Sequence, residues 1–128
     1  MKDCLIQLTN KPGDLARVAQ ALARRGVNIK ALAALSTGGM AMARILPDDI
    51  VVARSAFDAA HVRFTEGEVH LVLLENKAGV LASITDRLGD AGVNLEAIYV
   101  TGVADDLVEL AIVSDNPKKT KKVLEEFS

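Results

Sequence analysis

The chain has one cysteine, Cys4, no tryptophan, and only 3% aromatic residues in 128: Phe57, Phe64, Tyr99 and Phe127. A single thiol excludes an internal disulfide and a cysteine-based zinc site. Cys4 reads as a small hydrophobe on a strand. Four scattered aromatic rings leave little for stacking on bases. A basic excess is missing too: the net charge is −2, where nucleic-acid binders show a positive balance. No apolar run approaches the ~18 residues of a membrane span, and no targeting arm precedes the first strand. The expectation is a cytoplasmic protein with neither a nucleic-acid nor a membrane partner. Phosphate-loop and zinc-protease motifs are absent, Ser83 sits in no nucleophile elbow, and His61 and His70 lack the spacing of a ligand pair. No catalytic residue, metal site or cofactor is expected, and the chain does not read as an enzyme.

What the chain does contain, it contains twice. NKPGDLARVAQALARRGVNIKALAAL at 10–35 returns as NKAGVLASITDRLGDAGVNLEAIY at 76–99. Asn10 aligns with Asn76, Lys11 with Lys77, Gly13 with Gly79, Leu15 with Leu81, Leu22 with Leu88, Gly26 with Gly92 and Asn28 with Asn94, always 66 residues apart. A fixed offset sets the architecture before other signals do. Two copies mean a duplicated domain, divided as residues 1–66 and 67–128. A copy of about 65 residues buries only roughly 60% of its unfolded surface. The copies should therefore pack on each other, on a second chain, or both.

Within each copy the pattern is regular. Residues 3–8 form an apolar strand, and Pro12-Gly13 breaks it. Leu15, Val18, Ala19, Leu22 and Ala23 then lie on one helical stripe, and Gly26 fits a left-handed helix cap. Residues 27–36 and 40–46 read as a hairpin about Thr37-Gly38-Gly39. A second helix follows near 49–60, capped by Asp48 or Asp49, with Val51, Val52, Ser55, Ala56 and Ala59 inward. Residues 61–65 read as a fourth strand. The second copy predicts a strand at 68–75, a helix at 78–91, a hairpin at 94–103 and 107–114, and a last helix at 117–127. The order is β-α-β-β-α-β, the ferredoxin-like order, an α+β class with antiparallel sheets. The second copy lacks its last strand. That leaves the apolar edge at 69–74 open to pairing, to be covered by residues 61–65 folded back or by another subunit.

The glycine turns are where chemistry is expected. The first N–H groups of a helix have no partner within it, and the helix end carries about half a positive charge, so an anion can sit there. Gly13 and Gly79 permit close backbone approach. Asn10, Asn28, Asn76 and Asn94 offer donors and acceptors that could hold an amino acid's ammonium and carboxylate. Asparagine at a turn also serves to cap it or to take a left-handed conformation.

With their following GVNI and GVNL segments, NKPGDL and NKAGVL resemble the ACT domain, a small regulatory module, and the whole chain is similar to stand-alone tandem ACT proteins. The resemblance implies binding of a small-molecule ligand, most often an amino acid, and control of a regulated enzyme or other partner protein. It implies side-by-side pairing, here as a homodimer, with ligand held at the interface between the turn of one ACT repeat and the strands of its neighbour. In serine-binding members the Asn before the Pro-Gly turn and the Asn of G-V-N contact the ligand. Carried over, the candidate residues are Asn10, Lys11, Pro12, Gly13, Asp14, Leu15, Asn28 and Ile29, and in the second copy Asn76, Lys77, Ala78, Gly79, Val80, Leu81, Asn94 and Leu95. Ala78 stands where the first copy has Pro12, and Val80 where it has Asp14, so the two sites need not be equal. The rival reading is a ligand-free dimerisation or assembly module acting through a partner protein. The basic run Lys118, Lys119, Lys121 and Lys122 reads as a solvated helix face, with Glu125 as a partner at helical spacing.

Overall fold

The computed structural model describes residues 1–127 and divides them into two compact units. One is Lys2–Gly67; the other runs from Glu68 on and includes Met1. The first unit comprises β1 (Lys2–Leu8), α1 (Asp14–Ala23), β2 (Ile29–Thr37), β3 (Met40–Pro47), α2 (Ile50–Ala59) and β4 (Thr65–Glu68, which reaches one residue past Gly67). Its sheet has the order β2-β3-β1-β4. The second unit comprises β5 (His70–Glu75), α3 (Val80–Asp90), β6 (Leu95–Ala104), β7 (Leu107–Ser114), α4 (Pro117–Leu124) and a 3-10 turn at Glu125–Phe127. Its three-stranded sheet has the order β5-β7-β6. The β1–β3, β2–β3, β5–β7 and β6–β7 pairs are antiparallel. Each unit is thus a ferredoxin-like repeat, and among the described residues no fourth strand follows α4.

The helices form where the apolar stripe is continuous and end where glycine permits a turn. Gly26 takes φ +72°, and the Val27 amide donates back to the Leu22 carbonyl at 3.1 Å, closing α1 with two apolar residues in register. Asp49 caps α2 by accepting from the Val52 amide at 3.1 Å. Asn116 caps α4 in the same way, from Lys119 at 3.1 Å. Cys4, Ile6, Val18, Leu22, Ala43, Ile45, Ala53 and Phe57 make the first core. Val72, Leu74, Ile84, Leu88, Leu110, Ile112 and Leu124 make the second.

The copies differ by one residue inside the second hairpin. Ala34 pairs with Ala43 and Leu35 with Met42. Their counterparts pair as Val100 with Leu110 and Gly102 with Glu109, skipping Thr101. Thr101 is therefore a bulge residue, and its hydroxyl donates to the Glu109 carboxylate at 2.7 Å. Before it the copies are offset by 66 residues, and after it by 67.

Three expectations are corrected. Residues 61–65 are not the fourth strand, which is Thr65–Glu68. His61 is left-handed (φ +56°), and the Val62 amide donates to the Phe57 carbonyl at 2.9 Å, so this stretch terminates α2. Nor does it fold back on β5: the strand that follows it lies at the edge of the first sheet, beside β1. Of the expected inner face of α2, Ala56 is buried and Val52 packs against the core, but Val51, Ser55 and Ala59 are exposed, and Ala53 and Phe57 are the other buried residues. Val51 is 67% exposed, whereas Ala53 and Phe57 are fully buried.

Cys4 lies in the first core. Burial, with the Glu66 and Asp3 charges adding to it, pushes its thiol up to about 12. The thiolate is the reactive form, so the native protein should resist a thiol reagent at pH 8 for hours and label within minutes in denaturant. Rapid native labelling, followed by mass, would contradict the buried placement.

Candidate functional site

In the first repeat the chain leaves β1 through Asn10, left-handed at φ +56°, and Gly13, at φ +86°. The Asp14 amide donates to the Lys11 carbonyl at 3.2 Å, and the Arg17 amide to Gly13 at 3.0 Å. No side chain caps the start of α1, which leaves its first-turn amides without a partner inside the helix. Asp14 instead reaches backward. Its Oδ2 accepts from the Thr9 amide at 2.7 Å, and its Oδ1 from Arg17 Nε at 3.1 Å. The Thr9 amide first, and then the Thr9 hydroxyl and Arg17, hold the carboxyl below its usual range. The stability this contributes is complete above the ordinary carboxylate pKa. It is lost only as pH falls through the lower folded value.

A second tie crosses the loop. Ser36 Oγ, near the end of β2, donates to Asn10 Oδ1 at 2.8 Å, fixing which face the asparagine amide turns outward. The turn and the ends of β1, β2 and β3 surround a cleft of about 450 Å³, lined by Leu8, Asn10, Lys11, Pro12, Asp14, Leu15, Leu35, Ser36 and Met42 among others. Its floor is aliphatic and its rim carries an amide, an ammonium, a carboxylate and a hydroxyl. That is the inventory needed to hold a small zwitterion with an apolar body.

The second turn is built differently. Gly79 is left-handed at φ +90° and α3 is also uncapped. The Val80 amide donates to Lys77 at 3.4 Å, and the Asn76 amide to the Asp106 carbonyl at 2.6 Å. Lys77 is paired with Glu75 at 2.9 Å. Val80 replaces the Asp14 carboxylate. Counting through the Thr101 bulge, Val103, 66% exposed, replaces the Ser36 hydroxyl. Ala78 and Leu81 are exposed beside the turn. The second site keeps the helix start and loses both polar ties.

Asn28 and Asn94 are exposed, and in their own repeats their backbone groups join two strand ends. The Asn28 amide donates to Asp48 Oδ1 at 3.1 Å, and its carbonyl accepts from the Asp48 amide at 2.9 Å. The Asn94 amide donates to Asp115 Oδ1 at 2.9 Å, and its carbonyl accepts from Asp115 at 3.0 Å. Each clasp joins the start of the second strand to the end of the third. Ile29 and Leu95 follow, half-buried, one step before a bulge. Asn10, tied to Ser36, and Asn28 therefore stand at opposite ends of β2, roughly 25 Å apart at about 3.3 Å per residue. One repeat does not bring them onto one ligand, contrary to the simplest reading of the motif. The sequence offers Asp48 only as a helix cap, a role that Asp49 takes; its equivalence to Asp115 is hidden because the inserted Thr101 puts the two out of the 66-residue register.

His61 is exposed. His70 is half-buried on β5, and burial lowers its pKa. Among the described residues no group of three or more acidic, histidine or cysteine side chains could hold a metal, and no helix is long and apolar enough to cross a membrane.

Two ferredoxin-like repeats, each opening its first helix through a left-handed glycine, define a duplicated α+β domain. The family follows from comparison with known sequences. The AHAS small subunit-like ACT domain matches residues 5–59, and the ACT domain matches residues 71–128. The chain carries two ACT domains in tandem and belongs to that family. No curated protein sequence matches it significantly. Among solved structures it is similar to a protein from Bacteroides thetaiotaomicron, at 27% identity and a TM-score of 0.86, covering 98% of this chain and 86% of that one. It is also similar to the ligand-free regulatory subunit of aspartate kinase from Thermus thermophilus, at 19% identity and a TM-score of 0.70, covering 97% and 87%. The regulatory subunit of aspartate kinase from Thermus flavus gives 18% and 0.67, covering 98% and 90%. These last two likenesses are likenesses of fold.

Proposed function

We propose that the chain is a non-catalytic regulatory protein that binds an amino acid at its glycine turns and passes the signal to a partner enzyme. The observation that carries this reading is the first turn. An uncapped helix start, a Ser36-oriented Asn10 and the Asp14 carboxylate converge on one cleft with an aliphatic floor. The helix amides suit the ligand carboxylate, Asp14 suits its ammonium, and Leu8, Leu15, Leu35 and Met42 suit an uncharged side chain. Because Asn10 and Asn28 lie at opposite ends of β2, a ligand touching both residue types needs a second ACT domain to bring its G-V-N asparagine to the turn. A homodimer supplies one. The second turn, with Val80 and Val103, is the weaker site. A ligand-free assembly module is the competing reading, favoured by the exposed apolar residues Ile98, Val100 and Val103 along the edge strand β6.

Thermal unfolding with each common amino acid tests this. A ligand at 100 times its Kd should stabilise by about 2.7 kcal/mol. Asn10→Ala should abolish most of that gain, and Asn76→Ala should take the smaller share. Absence of stabilisation by any amino acid would favour the assembly module.

A further inference from the structure

The repeats describe each other where they differ most, beside β1 and β5. In the first repeat the outer edge of β1 is occupied by β4, and α2 holds that strand by charge. Arg54 donates from Nε and Nη2 to the two carboxylate oxygens of Glu66 at 2.6 and 2.7 Å. In the second repeat β5 is a sheet edge. Beside it runs a groove of about 610 Å³ between the strand and α4, lined by His70, Leu71, Leu73, Lys121 and Leu124 among others. The equivalent N-caps Asp49 and Asn116 put α2 and α4 in register, so Lys121 stands in the place of Arg54.

We infer that this groove accepts an extended strand from a partner protein, added beside β5 as a fourth strand and carrying a carboxylate opposite Lys121. Three observations converge. The backbone of the edge is available: the Val69 amide is taken by the Met1 carbonyl at 2.7 Å, and by strand alternation Leu71 and Leu73 turn their N–H and C=O groups to the same open side. Both side chains are exposed, at 38% and 54%. The cation is in place as well: Lys121 stands where Arg54 holds Glu66 of the added strand in the first repeat, while the groove's own carboxylates are Glu68, Glu109 and Glu125, of which Glu109 is engaged by Thr101. Finally, His70 Nδ1 is buried beside the groove with no hydrogen-bond partner among the described residues. A buried nitrogen left this way is costly, and an incoming strand can offer it a donor or acceptor. A second copy pairing through its own β5 would bring Glu68 on the face of His70, Val72 and Leu74, but that carboxylate already has an interaction of its own, so the strand inferred here comes from a different protein.

The chain supplies a probe, since Thr65–Glu68, at the end of residues 61–68, fills the equivalent position in the first repeat. A synthetic peptide of residues 61–68 at millimolar concentration should slow hydrogen exchange of the Leu71 and Leu73 amides at least tenfold. Lys121→Glu, an exposed position that leaves the core intact, should weaken peptide binding at least tenfold. The same peptide carrying Glu66→Lys should not bind the unaltered protein. Unchanged exchange at Leu71 and Leu73 overturns the inference, as does binding indifferent to Lys121→Glu. Slow exchange without peptide, together with a doubled molar mass, overturns it in favour of a second copy. The result is independent of amino-acid binding, which the peptide should leave intact.

Discussion

Phe57→Ala should cost the first repeat about 3–5 kcal/mol, the usual range for deleting a buried aromatic side chain. The ring is fully buried. It meets Cys4, Ile6, Leu22 and Ile45 within one core and packs on Phe64 with 5.3 Å between centroids. The second contact matters because Phe64 begins the approach to β4, so the ring holds both the helix and the strand that closes the sheet edge. A domain of this size has only about 3–10 kcal/mol of net stability. Urea denaturation of Phe57→Ala should therefore show the first repeat partly unfolded in water, and Phe57→Leu should lose much less because the site is still largely filled. A loss below about 1 kcal/mol in Phe57→Ala would mean that the core closes elsewhere.

The second large effect is electrostatic. Asp3 is fully buried, and Arg44 Nε donates to its Oδ2 at 2.8 Å, with the arginine side chain only 12% exposed. They sit diagonally across the β1–β3 ladder, on the face of the sheet away from the first core. Arg44→Met removes the guanidinium while the carboxylate stays buried, a change that costs about 3–5 kcal/mol. Replacing both partners by apolar residues is often close to neutral. The double variant Asp3→Leu, Arg44→Met should thus recover most of the stability lost by Arg44→Met alone. Equal losses in the single and double variants, measured by denaturant titration, would contradict the pairing.

Much of this architecture was legible because glycine marks the left-handed positions. Gly13, Gly26, Gly79 and Gly92 all have φ between +72° and +90°, and their recurrence at one offset defined both helices and both turns. The parts misread have physical causes. Val62 and Phe64 alternate as a strand would, yet Val62 closes a helix and Phe64 packs on Phe57. Val51 looked like core and Ala53 did not. The alanine is nevertheless the buried residue, because facing a small side chain inward lets α2 sit close to the sheet. The asparagines suggested one ligand site per repeat, but local spacing says nothing about the length of β2 that separates them. Asp48 reads only as a candidate helix cap, and its equivalence to Asp115 is hidden by the single inserted residue at Thr101.

The central claim is that the first glycine turn holds the amino acid by its helix amides and Asn10. Its most direct test is an amide chemical-shift titration with the amino acid that stabilises the protein most. The account expects saturable shifts at Leu15, Ala16, Asn10 and Ser36, with weaker changes at Leu81 and Ala82. Shifts confined to other surfaces, or none at saturating ligand, would contradict it.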